Sequence, residues 1–512
     1  MVQIVIGSES LSLDELVDLS LPGSQLVMSP SCAEAVRRSR TVVDDVIRAG
    51  ATVYGVNTGF GKLSGVSISE DRLGTLQRNL ILSHATGVGD SLPVETSRLA
   101  LALRIHSLAR GFSGVRQELL DLMIQVFNAG YSPVIPSQGS VGASGDLAPL
   151  AHLALPLLGL GEVWVGEGAG TRMDGGAALR AIGAEPVELA AKEGLALING
   201  TQIMTAIGAL TVARARNLNR VADIACATTI EALRASEQPF LPAVHELRPH
   251  AGQVQTAANL SALLAGSEVM QSHRDCAKVQ DAYSMRCSPQ VHGSAKDAYG
   301  FAERVLLTEA SSVTDNPLVF ADGKIVSAGN FHGQPVSQAL DFLGISLATL
   351  ANISERRIEH LVNPDISGLP AFLAHEPGLE SGYMIPQVVA AALASENKIL
   401  AHPASVDSIP TSANREDHVS MGVTAARHGE QILRNTETVL AIELMSAVQG
   451  LDCGEKQRPG RGVAAAYACV RSRVLPLEKD RFLAPDIAQV EELVRTGEVV
   501  RAVLEAGVEL GT

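Results

Sequence analysis

The sequence predicts a mainly α protein, an elongated bundle of long helices with a loop-rich N-terminal head and minor short strands. Aromatic residues are only 3% of the 512 residues while Ala and Leu are abundant, a composition that suits closely packed helices better than strands. Apolar residues recur with helical periodicity over unusually long segments. Because long helices need neighbours of similar length, this pattern favours a bundle.

Three helix starts are predicted at capping boxes, in which a serine is followed three residues later by a glutamate: Ser12 with Glu15, Ser31 with Glu34, and Ser67 with Glu70. Helical periodicity predicts further helices at about 93–110, 115–128, 188–235, 335–362, 386–401 and 422–450. Strand signals are confined to short pieces such as Gln3–Ile6 and Val163–Val165, which we expect in small peripheral hairpins.

We expect one continuous unit with two regions, a loop-rich head over residues 1–199 and a bundle of long helices with C-terminal helices over residues 200–512. The segment Gly194–Ala213 carries no charge over about the length that spans a bilayer. Its polar side chains, Asn199, Thr201 and Gln202 among them, would be costly in lipid. A buried core helix is therefore the expectation, and no membrane partner is predicted.

The formal charge of −15 argues against a nucleic-acid partner, and an anionic substrate would need a local arginine. Six scattered cysteines form no CxxC pair, which indicates neither a zinc knuckle nor a disulfide framework, and no metal site is expected. The N-terminus has no basic region before a long apolar run, so it does not resemble a secretory signal. A cytoplasmic location fits these features best.

The loop SQGSVGASGDLAP, residues 137–149, is the most informative segment for function. No glycine stands two residues after Ser144, so the loop is not a nucleophile elbow, and no GK[ST] follows to make a phosphate-binding loop. An isolated Gly/Ser run of this kind would most often be a flexible turn.

The wider segment GSVGASGDLAPLAHLAL closely resembles the signature of the aromatic amino acid ammonia-lyases and aminomutases. The resemblance implies that Ala143, Ser144 and Gly145 cyclise to 4-methylidene-imidazol-5-one, with no external cofactor. The residue types suit this chemistry, because the Gly145 nitrogen must reach the Ala143 carbonyl without Cβ hindrance and Ser144 must lose its hydroxyl as water. The product would be an electrophile that helps a poor leaving group, the α-amine, to depart.

Further motifs of the same family follow in order along most of the chain. YGVNTGFG implies that Tyr54 is the base that removes the substrate β-proton. A free phenol has a pKa of about 10, so we expect the pocket to favour phenolate through cationic neighbours or helix N-termini.

Five other motif residues are implied to contact the substrate or the electrophile. LINGTQ contains Asn199, whose side-chain amide would line the electrophile and the substrate. GNFHG contains Phe331, which would form an apolar wall near the electrophile. QDAYSMRCSPQ contains Gln280, Tyr283 and Arg286. In the family pattern Arg286 binds the substrate carboxylate through its two-pronged guanidinium and Tyr283 serves as a hydrogen-bond partner or proton relay.

Two segments resemble those of the histidine-specific members. NLILSHATG contains His84, which helical spacing alone would make a core or lining histidine, and PTSANREDHVSMG contains Glu416, where a carboxylate can hold an imidazole. A carboxylate buried beside a phenyl ring would remain unpaired, so the two residues favour histidine. Arg415 and Gln334 depart from the family pattern, in which glutamine and glutamate are expected.

The resemblance therefore implies elimination of ammonia from L-histidine to give trans-urocanate, by a homotetramer whose sites are built from more than one subunit. Two alternatives remain open. A histidine or tyrosine 2,3-aminomutase would use the same electrophile and return ammonia to the β-carbon, and an inactive helical scaffold would have kept only the fold.

Overall fold

The computed structural model describes residues 2–7, 10–166, 170–273 and 279–512, and the predicted mainly α class is confirmed. The helices up to Ile198 are of moderate length. They are α1 (Leu13–Ser20), α2 (Pro30–Arg48), α3 (Leu73–His84), α4 (Val94–Ala109), α5 (Gln117–Asn128), α6 (Leu147–Ala154), α7 (Gly175–Ala181) and α8 (Glu193–Ile198).

The rest of the described chain contains the longest helices, interspersed with short ones. They are α9 (Gln202–Ala232), α10 (Pro242–Glu246), α11 (Ala251–Leu264), α12 (Glu268–Ser272), α13 (Tyr283–Arg286), α14 (Ser288–Ala310), α15 (Gln334–Val362), α16 (Pro364–Ser367), α17 (Met384–Leu400), α18 (Gly422–Cys453), α19 (Arg461–Arg471), α20 (Ala484–Arg495) and α21 (Glu498–Glu505). Short 3₁₀ helices lie at Gly61–Leu63, Glu70–Arg72, Leu155–Leu158, Gln238–Phe240, Ala371–Leu373, Ala404–Val406 and Ser412–Asn414.

The strands are short, as the sequence predicts. They are β1 (Gln3–Ile6), β2 (Gln25–Met28), β3 (Val88–Ser91), β4 (Ser132–Pro133), β5 (Pro136–Gln138), β6 (Glu162–Val165), β7 (Thr171–Asp174), β8 (Leu318–Val319) and β9 (Ile325–Val326). β6 pairs antiparallel with both β7 and β4, β3 with β5, and β8 with β9. The expectation of a hairpin is wrong for β1, which pairs in parallel with β2 after the chain crosses over through α1.

The internal contacts of the chain divide it into two compact units, each assembled from three segments. The first unit consists of Met1–Leu210, Glu303–Asp341 and Pro403–Arg427. The second consists of Thr211–Ala302, Phe342–His402 and His428–Thr512. The segments that contain Phe331 and Glu416 therefore fold with the N-terminal part of the chain.

One of the three predicted helix starts is confirmed. The Ser12 hydroxyl accepts from the Glu15 amide and the Glu15 carboxylate accepts from the Ser12 amide, which completes the capping box. The start at Ser31 is wrong because Ser29 caps α2 and a proline occupies the first helical position. The start at Ser67 is also wrong, because a 3₁₀ turn over Glu70–Arg72 precedes α3.

The helix predicted at 188–235 is interrupted. α8 ends at Ile198 and α9 begins at Gln202, so Asn199 lies in a short non-helical connection. By length and composition, two stretches of the described residues could span a membrane, Glu193–Ala232 and Gln334–Val362. Their most apolar windows are 94% and 72% buried inside the structure. The expectation that Gly194–Ala213 is buried in the core is confirmed, whereas the expectation of a single helix there is wrong.

Each unit has an apolar core. In the first unit, one cluster of buried side chains fixes the polypeptide on either side of Tyr54; its members are Val42, Val43, Val56, Leu73, Ala191 and Val319, with Val53 packed against it. In the second unit, helices α15, α17 and α18 pack through Ala351, Ile358, Ala390, Val439 and Ile442. Of the six cysteines, Cys276 lies outside the described residues and the other five are free thiols.

Candidate active site

A cavity of about 170 Å³ in the first unit brings together residues from three separate parts of the chain. The end of α3, the loop 137–149 and the segment before α18 all contribute to its lining, which consists of Ser83, His84, Thr86, Gly139, Ser140, Val141, Ala143, Ser144, Gly145, Leu147, Ala148 and Glu416. The structure thus places the predicted electrophile residues beside the two residues expected to select the substrate.

Glycine is required at two positions of the loop by its backbone conformation. Gly142 and Gly145 have φ angles of +67° and +73°, in the left-handed region that side chains disfavour. A Cβ atom at Gly145 would lie 2.1 Å from the carbonyl oxygen of Gly200, and one at Gly142 would lie 2.1 Å from Ser420 Oγ. At Gly142 and Gly145 the loop therefore lies too close to its neighbours for any residue with a side chain.

Asp146 anchors the loop to the first turn of α9. Its buried carboxylate accepts hydrogen bonds at Oδ2 from the amides of Ile203 and Met204, both at 2.9 Å, and at Oδ1 from Ser140 Oγ at 3.0 Å. Burial raises the pKa of the Asp146 carboxyl to about 7. This role of Asp146 was not predicted, although an acid directly after the Ala-Ser-Gly triplet is a visible signal in the sequence.

The other side of the loop is held by the segments before α15 and α18. The Gly142 carbonyl oxygen accepts from Ser420 Oγ at 2.9 Å and from the Gly333 amide at 3.4 Å. The Met421 amide donates to the Val141 carbonyl at 2.9 Å. Because both flanks of the triplet are tied to other segments, its backbone is held in one conformation.

Ser144 is the centre of the hydrogen-bond network in the cavity. Its hydroxyl donates to Glu416 Oε1 at 2.8 Å, and its carbonyl oxygen accepts from Asn199 Nδ2 at 2.8 Å. Glu416 Oε2 accepts in turn from Thr411 Oγ1 at 2.5 Å. Thr411 was not predicted; it reaches Glu416 because the two residues form an antiparallel bridge.

His84 is the last residue of α3, and its ring is fixed by its own helix. Its Nδ1 lies 2.8 Å from the Leu80 carbonyl oxygen, which can only accept, so Nδ1 carries the hydrogen. Burial lowers the pKa of His84, which favours the neutral ring. In that tautomer Nε2 is a hydrogen-bond acceptor.

Tyr54 lies in the turn between α2 and α3. Its backbone is fixed at Gly55, where a Cβ would lie 2.7 Å from Leu195 Cδ2 and 2.9 Å from Pro317 Cδ. Burial raises the pKa of the Tyr54 phenol, and the charge of Glu416 raises it further, against a lowering by the Gly61 backbone. The expectation that the pocket favours the phenolate of Tyr54 is therefore wrong for the surroundings that the described residues of one chain provide.

Gln280, Tyr283 and Arg286 lie together in the second unit. Arg286 donates from Nε to the Asp281 carbonyl at 2.9 Å and from Nη2 to Gln280 Oε1 at 3.1 Å. The guanidinium stacks 4.5 Å from the centre of the Tyr283 ring, which is 72% exposed. The three side chains form a polar surface cluster.

The other residues singled out in the sequence do not line the cavity. Phe331 is half-buried in the turn before α15. Gln334 begins α15 and donates from Nε2 to the Ser405 carbonyl at 3.3 Å, and Arg415 is exposed. Among the residues that the structure describes, no group of three or more His, Cys, Asp or Glu side chains is placed to hold a metal ion.

Comparison with known proteins assigns the chain to an enzyme class. The family model of aromatic amino acid lyases matches residues 11–472. A histidine ammonia-lyase of Alkaliphilus oremlandii is 52% identical over 511 residues, which cover 100% of both chains. A mainly α chain with these relatives is a carbon–nitrogen lyase. More particularly, it belongs to the aromatic amino acid lyase family.

Two solved structures share the fold over nearly the whole chain. The crystal structure of histidine ammonia-lyase from Trypanosoma cruzi has a TM-score of 0.91 and 45% identity, covering 98% of this chain and 95% of the other. Tyrosine aminomutase from Streptomyces globisporus has a TM-score of 0.94 and 36% identity, covering 100% of both chains. The fold is thus common to proteins named for two different reactions.

Proposed function

We propose that this protein eliminates ammonia from L-histidine to give trans-urocanate, through a 4-methylidene-imidazol-5-one formed from Ala143, Ser144 and Gly145. The observation that carries the proposal is one cavity lined by this triplet together with His84 and Glu416. The 52% identity to a histidine ammonia-lyase over the whole chain supports the same substrate.

The residues around the triplet fit the proposed group. Ala143 is 4% exposed and small, and Gly145 adopts a conformation in which a side chain has no room. Asn199 Nδ2 donates to the Ser144 carbonyl, where a hydrogen-bond donor can stabilise developing negative charge. Once formed, the group supplies an electrophilic carbon for the substrate amine.

His84 and Glu416 complement an imidazole ring. A carboxylate accepts from a ring N–H, and the neutral His84 ring presents a second acceptor at Nε2. A phenyl or phenol ring has no ring N–H to donate to these acceptors. Beside a phenylalanine ring, Oε1 of the half-buried Glu416 would receive no donor from the substrate, which favours histidine.

Proton removal and carboxylate binding fall to Tyr54 and Arg286 in this proposal. The phenolate of Tyr54 takes the substrate β-proton, and the guanidinium of Arg286 pairs with the α-carboxylate, with Tyr283 and Gln280 beside it. Phe331 forms an apolar wall. Tyr283 is exposed and Arg286 is half-buried in the second unit, and we infer that another subunit supplies both to the cavity.

A homotetramer in the cytoplasm completes the proposal. Two helices of the second unit carry large apolar side chains that are exposed in the single chain: Phe342 and Ile345 on α15, and Ile385, Val388, Val389 and Ile399 on α17. On α17 the first three recur at helical spacing and form a continuous stripe. Stripes of this kind are buried in obligate oligomers.

The test is to incubate the enzyme separately with L-histidine, L-phenylalanine and L-tyrosine and to follow the conjugated product by ultraviolet absorbance. We expect turnover of histidine by the wild type and by Ser137→Ala, which changes a serine outside the cavity lining, and none by Ser144→Ala. No preference for histidine would contradict the proposal.

An aminomutase is the second candidate, favoured by the similarity in fold to the tyrosine aminomutase. Chiral analysis of the amino acids in the same reactions separates the two candidates. A β-amino acid as the main product would replace the lyase with the mutase, whereas an arylacrylate and free ammonia support the lyase.

A further inference from the structure

The two oxygens of the Glu416 carboxylate have different partners. Oε1 accepts from the Ser144 hydroxyl at 2.8 Å, and both of these residues line the cavity. Oε2 accepts from Thr411 Oγ1 at 2.5 Å, and within the part of the chain that the structure describes it has no other donor. Thr411 does not line the cavity. The Thr411 hydroxyl can therefore influence the cavity only through Glu416.

The backbone between Thr411 and Glu416 is a tight turn of unusual conformation. The two residues exchange hydrogen bonds, the Thr411 amide to the Glu416 carbonyl at 3.0 Å and the Glu416 amide to the Thr411 carbonyl at 3.4 Å. Three of the residues between them, Ser412–Asn414, have φ angles of +50°, +52° and +64°, in the left-handed region that residues with a side chain rarely adopt. Such residues persist only where the surrounding structure holds them, and they are typical of functional sites. The turn lies beside the 3₁₀ helix Gly61–Leu63 of the same unit.

The hydrogen bond from Thr411 determines where the other oxygen of Glu416 points. The terminal torsion of a glutamate side chain is only weakly restricted, so a carboxylate without a fixed partner turns easily. A donor at Oε2 fixes this rotation and leaves Oε1 facing the cavity. Recognition of a ring N–H depends on the direction of the acceptor, because hydrogen bonds weaken steeply as they bend. The Thr411 hydroxyl therefore controls the one acceptor of Glu416 that a ligand in the cavity can use.

We propose that Thr411 is a positioning residue for substrate selection, whose hydroxyl holds Oε2 of Glu416 and thereby directs Oε1 at the imidazole N–H of histidine. This inference rests on the proposed function, in which Glu416 holds the substrate ring. Thr411 itself makes no contact with the substrate. Selection of an imidazole thus depends on two residues of one turn, the carboxylate that binds the ring and the hydroxyl that orients the carboxylate.

Steady-state kinetics of the full-length enzyme with L-histidine test this proposal. Thr411→Val keeps the shape of the side chain but removes the hydroxyl, so KM should rise about tenfold while kcat stays within about threefold of the wild-type value. Thr411→Ser restores a hydroxyl and should keep KM within about threefold of that of the wild type. Thr41→Val makes the same change at an exposed position of α2 and should match the wild type. KM does not depend on the amount of folded enzyme, so a variant that folds only in part still gives an answer.

A double-variant cycle shows whether Thr411 acts through Glu416. Glu416→Ala removes the carboxylate, so the addition of Thr411→Val should lower kcat/KM by no more than about a further twofold. Losses that multiply independently, a wild-type KM in Thr411→Val, a loss confined to kcat, or an equal loss in Thr411→Ser would overturn the proposal and leave the proposed reaction intact. Full turnover of histidine by Glu416→Ala would instead contradict the part of Glu416 in the proposed function, and this inference with it.

Discussion

The Ser144 hydroxyl donates a 2.8 Å hydrogen bond to Glu416 Oε1, across 272 positions of sequence. This contact joins the residue proposed to lose its hydroxyl to the residue proposed to hold the substrate ring. In the proposed condensation, Glu416 would orient the hydroxyl that leaves as water. Once that water had left, Oε1 would have lost this donor and would be free to accept from a substrate N–H.

Replacement of Glu416 by glutamine tests its part in substrate selection. We expect kcat/KM for histidine to fall about 10- to 100-fold, because the loss of a hydrogen bond to a charged group costs about 1.5–3 kcal/mol. Activity toward phenylalanine should not fall, since its ring makes no such bond. Asp417→Asn alters the neighbouring exposed carboxylate and should leave both rates unchanged. An equal loss for both substrates would remove Glu416 from selection.

The same variant should change the pH dependence of the reaction. The negative charge of Glu416 raises the pKa of the Tyr54 phenol, so removing that charge lowers the pKa and makes phenolate available at lower pH. We predict that the rise of kcat/KM with pH begins at lower pH in Glu416→Gln than in Asp417→Asn. An unchanged profile, or a shift to higher pH, would exclude Tyr54 phenolate as the titrating base.

Replacement of Tyr54 by phenylalanine removes the proposed base. The kcat of Tyr54→Phe should fall about 10²- to 10⁴-fold, whereas the kcat of Tyr131→Phe should not fall.

Asp146 should make the stability of the protein depend on pH in a specific window. The native carboxyl has a pKa of about 7 against 3.8 for the free group, so the native state holds its proton to higher pH than the unfolded state does. The resulting stabilisation is complete below about pH 4 and is lost as the pH rises to about 7.

Urea denaturation at several pH values measures this effect. Asparagine does not titrate but can still accept from the amides of Ile203 and Met204, so the free energy of unfolding of Asp146→Asn should not fall over that window. We expect the wild type to lose stability relative to this variant between about pH 4 and 7. Asp90→Asn, at an exposed position, should follow the wild type. Parallel curves for wild type and Asp146→Asn would contradict the prediction.

A buried ion pair supports the segments around the site. Lys192 Nζ lies 2.7 Å from Asp315 Oδ2, and both side chains are fully buried. The pair ties the residue before α8 to the segment before Pro317, which packs against Gly55 beside Tyr54. Asp315→Asn should lower the free energy of unfolding by about 3–5 kcal/mol, because it leaves a buried charge uncompensated.

Thermal and urea denaturation measure that loss. Asp322→Asn breaks an exposed pair with Lys324 and serves as the control, which should unfold as the wild type does. A similarly small effect of Asp315→Asn would show that the buried pair contributes nothing to the stability of this region.

The long helices could be predicted from sequence because their periodic signal is local, and α18 matches its prediction to within three residues at either end. The break at Asn199 could not, because the apolar composition continues through it. It depends on distant contacts, in which the Gly200 carbonyl accepts from the Asp146 amide and Thr201 donates to Glu309. The start of α2 was misplaced because Ser29 and Ser31 are both good caps, and the intervening Pro30 favours the first.

In the site, too, residues with a local sequence motif could be predicted and those that depend on distant contacts could not. His84 and Glu416 could be named from motifs that resemble those of a known family, and the structure places both at the cavity. Thr411 could not be predicted, because its hydrogen bond to Glu416 depends on how the segment before α18 turns back on itself. The raised pKa of Tyr54 was missed because burial and the proximity of Glu416 are properties of the folded chain.

The central claim is that Ala143, Ser144 and Gly145 condense into an electrophile, and the mass of the peptide containing them tests it most directly. In purified, active wild-type protein we predict a mass lower than the sequence value by two water molecules. Ser144→Ala should not show this loss and should be inactive. A wild-type peptide of unmodified mass in fully active protein, or full turnover by Ser144→Ala, would contradict the account.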